Sequence, residues 1–154
     1  MEIKKCIKET FSVIGKEGST NNGEGFIQKL WGDANSHFNE IASLGKKDDQ
    51  GNLLGIWGVM SDFSRSFHPW ENNFTKGLYL AGIEVEDDAQ PTQDWVKWTI
   101  PSYEYIYVKN ENKDTFTDVI KYMGENNLQL VGAVHDYNCP EDGQGYLFFP
   151  IRRL

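Results

Sequence analysis

The segment GVMSDF at residues 58–63 returns as GAVHDY at residues 132–137, so that Gly58 aligns with Gly132, Asp62 with Asp136 and Phe63 with Tyr137. A loop follows each copy and then a second match, KGLYL after the first and QGYLF after the second, which pairs Gly77 with Gly145. Internal repetition constrains architecture more than any single element does, because each copy must be a unit that packs on the other.

The segments around the two copies run in the same order. KCIKETFSVIGK (5–16) alternates Phe11 and Val13 with polar neighbours and reads as a strand, broken by GSTNNGEG. From Phe26, the residues Ile27, Leu30, Trp31, Ala34, Phe38 and Ile41 recur at the spacing of one buried helical face, so a helix is expected to end near Gly45. LLGIWGVMSDF and GLYLAGIEVE then supply two strands. In the second half WVKWTIPSYEYIYVKN (95–110) reads as a strand that Pro101 interrupts near its start. KDTFTDVIKYM puts Phe116, Val119, Ile120 and Met123 on one helical face, and LQLVGAVHDYN and GYLFFPIRRL close the chain as strands. The expectation is one domain over 1–154 built from a duplicated βαββ unit, with pseudo-repeats of about 1–88 and 94–154. Its fold class is α+β: a two-layer sandwich whose antiparallel sheet carries two helices on one face, with a cleft between the halves.

Bulk properties narrow the function. The chain has 154 residues, 39% apolar and 25% charged, and no stretch approaches the roughly 18 consecutive apolar residues of a membrane helix. The N-terminus MEIKKCIKETF lacks the apolar core of a signal peptide, which makes the cytoplasm the expected location. Net charge is −8 and the basic residues are scattered, which disfavours direct nucleic-acid binding and suits a cationic ligand. Cys6 and Cys139 are isolated and read as reduced packing residues. His37, His68 and His135 are too dispersed for a metal site, and neither a phosphate loop nor a nucleophile elbow is present, so no metal and no cofactor are expected.

GVMSDF, GLYLAGIEVEDD, TIPSYEYIYV, a short amphipathic helix and a terminal YLFFPI, in that order, resemble the GyrI-like small-molecule-binding domain, which is also the effector domain of AraC-type and MerR-type multidrug regulators. The resemblance spans the whole chain and rests on Gly82-Ile83-Glu84-Val85, on Pro101 to Tyr105, and on Pro150-Ile151. It implies a pseudo-twofold pair of βαββ units whose cleft accepts flat, hydrophobic, often cationic molecules between aromatic rings, with an acidic residue opposite the positive charge. No helix-turn-helix segment precedes the domain, so a stand-alone member is expected. The family's ligand-facing tyrosine falls on Tyr105. Its acidic residue, counted back from Tyr137, falls on His135, a departure that leaves the acidic role to Glu84, Glu104 or Asp136.

Alternation puts Tyr103, Tyr105 and Tyr107 on one strand face and Ser102, Glu104, Ile106 and Val108 on the other, and it sends His135 and Asp136 to opposite faces. Rings with hydroxyl edges suit stacking on a planar ligand, and a cation over them gains roughly 0.5–2 kcal/mol per contact. Trp57, Tyr79, Tyr137, Tyr146 and Phe148 lie on strands that border the cleft, each as wall or as core. Phe63, Phe67, Trp70 and Phe74 lie in a loop that either covers the cleft mouth or packs on the helices. The ligand-binding candidates are thus Trp57, Tyr79, Glu84, Tyr105, His135, Asp136, Tyr137, Tyr146 and Phe148.

Three functions compete. The first is a binding protein for hydrophobic, cationic, planar small molecules, serving effector sensing or sequestration. The second is a hydrolase of strained electrophilic cytotoxic compounds, with His135 or Glu104 activating water and Tyr105 donating to the leaving oxygen. The third is an acidic interaction module whose protein partner is a regulator or a topoisomerase, as in a gyrase inhibitor. Binding is favoured over catalysis.

Overall fold

A computed structural model describes residues 1–154. Eight strands form one fully antiparallel sheet: β1 Lys4–Lys8, β2 Phe11–Ser19, β3 Ile56–Ser61, β4 Leu78–Val85, β5 Val96–Ile100, β6 Tyr103–Lys109, β7 His135–Asn138 and β8 Gly145–Arg153. Helices α1 (Phe26–Ser36) and α3 (Thr115–Glu125) pack on the same face, and α2 (Glu71–Phe74) is a single turn. The order β1-β6-β8-β7-β3-β4-β2-β5 is symmetric about the β7–β3 pair: β3 matches β7, β4 matches β8 and β2 matches β6. This is the α+β fold that the repeat implies.

The segments expected as single strands over 5–16 and 95–110 each divide in two, and the pieces part company. β1 leaves the half it precedes and pairs with β6, while β5 leaves β6 and pairs with β2. The two connections meet where the Thr10 amide donates to Ser102 Oγ at 2.7 Å. Alternation cannot reveal such an exchange, because a strand's pattern is the same whichever edge it joins.

The first helix is also shorter than its apolar spacing suggests. It ends at Ser36, whose hydroxyl donates back to the Gly32 carbonyl, and two single 3₁₀ turns, Phe38–Glu40 and Ala42–Leu44, carry the apolar stripe on to Leu44. The last-but-one strand begins only at His135; residues 128–134 are irregular, tied at Val131 by its amide to the Pro150 carbonyl.

Three cores result. Ile14, Tyr79, Ala81, Ile83 and Val85 bury the helical face of β2 and β4 under α1. Ile106, Val108, Leu147 and Phe149 do the same under α3, against Val119 and Met123. The third core lies on the face away from both helices: Phe11, Val13, Trp57, Val59, Leu78, Leu80, Trp98, Ile100, Tyr103, Tyr105 and Phe148. That face is strongly concave, since Lys8 of β1 touches Glu84 of β4 although four strands lie between them in the sheet.

Candidate functional site

The concave face is an interior of aromatic rings. Trp57 lies 4.6 Å from Tyr137, 5.0 Å from Phe11 and 5.3 Å from Phe148, and Tyr107 stacks on Phe148 at 4.9 Å with an interplanar angle of 7°. Tyr103, Tyr105 and Tyr107 share this face, as strand alternation requires. Rings fill the space: none of the principal cavities reaches Tyr105, Phe11, Trp57 or Phe148, and only Tyr137, at the edge, also lines one of them, beside Leu54 and Ile56.

Two polar groups stand out in this apolar setting. Tyr105 is 1% exposed, and its hydroxyl is the single buried side-chain nitrogen or oxygen without a hydrogen-bond partner. Such a group costs about 1–3 kcal/mol. Burial pushes the Tyr105 phenol far above its ordinary pKa, so it is a donor at any physiological pH. The second group is Glu84, 5% exposed, between Ile83 and Val85, which turn toward α1. Its carboxylate accepts from Trp57 Nε1 at 3.3 Å and faces Lys8 Nζ at 3.1 Å, with Lys46 Nζ at 4.0 Å. Lys8 Nζ in turn lies 4.4 Å above the Phe11 ring and 5.6 Å from that of Trp57. An ammonium ion therefore already rests between a buried carboxylate and two aromatic faces.

His135 joins this side of the sheet, 6.3 Å from the Tyr105 ring. Its Nδ1 accepts the Met60 amide at 3.1 Å, and burial holds its pKa down to about 3. The ring is neutral, and its lone pair is already engaged. Tyr137 donates to the Leu54 carbonyl at 3.1 Å, and burial first of all raises its pKa to about 12. Tyr146 sits at the rim, its hydroxyl 2.7 Å from Asp142.

Three candidates lie on the opposite, helical face. Tyr79 donates to Asp136 Oδ2 at 2.8 Å while accepting from Trp31 Nε1 at 3.1 Å, and Glu104 pairs with Arg152 at 3.1 Å. Tyr79, Asp136 and Glu104 are therefore separated from Tyr105 by the thickness of the sheet, and Glu104 cannot work with Tyr105 on one substrate. Of the acidic candidates, Glu84 is the one in the aromatic interior; Glu17, paired with Arg65, also borders it and accepts from Trp98 Nε1 at 2.8 Å.

The loop aromatics divide between both proposed roles. Phe67 stands edge-on to Trp98 at 5.9 Å and covers the aromatic interior, whereas Trp70 stacks on Phe26 of α1 and Phe74 meets Phe116 of α3. Sequence reasoning passed over Lys8 and Phe11 as site residues. Phe11 carried the right alternation, but nothing in the primary structure marks Lys8, since its partner is brought near only by the curvature of the sheet.

No family model matches the chain, and no curated protein does at a significant level. Solved structures do. The protein SAV2435 bound to tetraphenylphosphonium superposes with a TM-score of 0.64 at 18% identity, over 99% of this chain and 94% of that one. The EcmrR C-terminal domain gives 0.63 at 10% identity, over 99% and 98%. A hydrolase from Listeria innocua gives 0.51 at 12%, over 97% and 91%. The fold is theirs. It is consistent with the GyrI-like ligand-binding domain that the sequence resembles, and the aromatic interior fits small-molecule binding. No helix of the chain is long and apolar enough to cross a membrane, and no group of three or more His, Cys, Asp or Glu side chains is placed to hold a metal ion.

Proposed function

We propose that the chain binds hydrophobic organic cations carrying flat aromatic groups within its aromatic interior, with Glu84 facing the positive charge and Tyr105 donating to any polar atom of the ligand. The observation that carries this is the position of Lys8 Nζ, held at 3.1 Å from Glu84 over the Phe11 and Trp57 rings. A site that stabilises an ammonium ion in this way stabilises a ligand cation by the same interactions. The binding of tetraphenylphosphonium by SAV2435, which has the same fold, supports the reading. Ligand entry requires the rings to part, and the partly exposed rings are Phe67, Tyr107, Tyr137 and Tyr146. In this reading the domain senses or sequesters its ligand in the cytoplasm without itself contacting nucleic acid.

The test is a tryptophan-fluorescence titration with tetraphenylphosphonium and, as a neutral analogue, triphenylphosphine oxide. Saturable quenching by the cation, weaker quenching by the neutral compound, and loss of that preference in Glu84→Gln are expected. Equal response to both compounds, or none to either, overturns the reading.

A hydrolytic role in the same interior is the second reading, favoured by the fold shared with the Listeria innocua hydrolase. Its base would be Glu84, since the His135 lone pair accepts the Met60 amide and Glu104 faces the other way. A water-added product recovered after incubation with a strained-ring electrophile, and absent with Glu84→Gln, is the result that establishes it.

A further inference from the structure

The helical face holds a different kind of site. Between α3 and the turn at 69–74, Met60 of β3 and Val134 just before β7 form the floor of two adjoining cavities. The first, of about 200 Å³, is walled by Pro69, Trp70, Phe74 and Phe116 and is almost wholly apolar. The second, of about 430 Å³, shares Met60, Phe116 and Val134 with it and extends to the Asn110–Lys113 loop and to Asp136. One slot therefore runs from a pocket of rings to a carboxylate, directly over the symmetry-related central strands.

Asp136 is unbalanced in this setting. Its Oδ2 accepts from the Tyr79 hydroxyl at 2.8 Å, but Oδ1 receives no hydrogen bond and no basic side chain lies within ion-pair distance of either oxygen. Tyr79 is itself fixed by Trp31 Nε1, so the carboxylate is aimed rather than free to turn to solvent. Lys113 lines the same cavity, and Glu111 beside it offsets its charge. Asp136 is half-buried and its Oδ1 opens into the second cavity, so an N–H bearing cation in the slot can donate to it in place of water and gain a charge-assisted hydrogen bond.

We infer that this slot is a second binding site, distinct from the aromatic interior, for protonated primary or secondary amines carrying a single aryl or short alkyl group. The ammonium donates to Asp136 Oδ1, and the apolar group lies among Met60, Phe74, Phe116 and Val134. A cation without N–H, such as tetraphenylphosphonium, cannot make that hydrogen bond and is too bulky for a chamber of about 200 Å³. The two sites thus separate cations by chemistry: delocalised charge over stacked rings on one face, hydrogen-bonding ammonium on the other.

The experiment is a titration of the ¹⁵N-labelled protein with 4-phenylbutylamine, followed by amide shift perturbation. Shifts centred on Met60, Phe116, Val134 and Asp136 are expected, with affinity falling on the order of tenfold in Asp136→Asn, as loss of one charge-assisted hydrogen bond implies. Phe116→Trp, which leaves the carboxylate intact and fills the slot, is expected to weaken binding likewise, while Tyr105→Phe leaves it unchanged. Shifts centred on Trp57, Glu84 and Tyr105, unchanged affinity in both Asp136→Asn and Phe116→Trp, or no saturable shift at all overturn the inference. Because tetraphenylphosphonium binding is read at the other face, either site can fail without the other.

Discussion

Lys8 Nζ lies 3.1 Å from Glu84 Oε1, although the two residues stand at the outer edge of one half of the sheet and within the other half. The chain thus carries its own cation in the place where the proposed ligand's charge belongs. A ligand must displace that ammonium into solvent, which lies close by since the Lys8 side chain is 27% exposed, whereas that of Glu84 is 7% exposed. Lys8→Met is accordingly expected to raise affinity for tetraphenylphosphonium, on the order of tenfold, by removing the competitor. The same change leaves a buried carboxylate short of its counter-ion, so stability is expected to fall by about 1–3 kcal/mol in urea denaturation. Opposite signs in binding and stability are the signature; a variant that loses both shows that Lys8 only supports the fold.

Tyr105→Phe is expected to leave the protein as stable as before, or more stable by about 1 kcal/mol, because it deletes a buried hydroxyl that has no partner. Urea midpoints of the two proteins at equal slope decide this. A loss of more than about 1 kcal/mol would mean that the hydroxyl does bond within the fold.

His135 makes stability depend on pH. Its ordinary pKa of 6.5 is lowered to about 3 in the folded protein by burial, so below pH 6.5 the unfolded chain takes up a proton that the native ring refuses. Stability from this group is complete above pH 6.5 and falls as the pH drops toward 3, by up to about 1.4 kcal/mol per pH unit. Asp136 runs the other way: burial raises its folded pKa above 3.8, so native protonation stabilises as the pH falls through that window. Denaturation between pH 7 and 4 is expected to show a steeper loss in Asp136→Asn than in the parent and a shallower one in His135→Gln.

Gly15 of β2 and Gly82 of β4 face each other across the ladder, and a Cβ on either would strike a carbonyl oxygen of the other strand, that of Ala81 or of Ile14. Backbone cannot yield as a side chain does, so Gly82→Ala is expected to destabilise by about 3 kcal/mol or more. Gly32→Ala, on open helix surface, is expected to stabilise by up to about 1 kcal/mol. Thermal melts of the two variants make the comparison.

Much of the candidate site was legible because strand alternation is a local property. Tyr103, Tyr105 and Tyr107 share a face, His135 and Asp136 are split by the sheet, and Phe116, Val119, Ile120 and Met123 pack together, all as their spacing requires. The grouping of Tyr79 and Asp136 with Tyr105 failed for the complementary reason. Alternation says which residues of one strand share a face, but it does not say how the faces of two distant strands are matched. Tyr79 and Trp57 stand on different strands with equally aromatic patterns, and only their register across β3 and β4 sends one toward α1 and the other into the concave face.

The primary structure by itself determined the repeated strand–helix–strand–strand order, the apolar stripes of both long helices, and the presence of a tyrosine-rich strand face. Each of these follows from periodicity within about ten residues and from the turn chemistry between elements. Tertiary structure alone decided the exchange of β1 and β5 between halves and the curvature that carries Lys8 to Glu84. It also decided that rings fill the concave face, and it placed the open cavity beside Asp136 on the other face. Those outcomes depend on twist and pairing accumulated across eight strands, contacts between residues far apart in the chain, which no short stretch encodes.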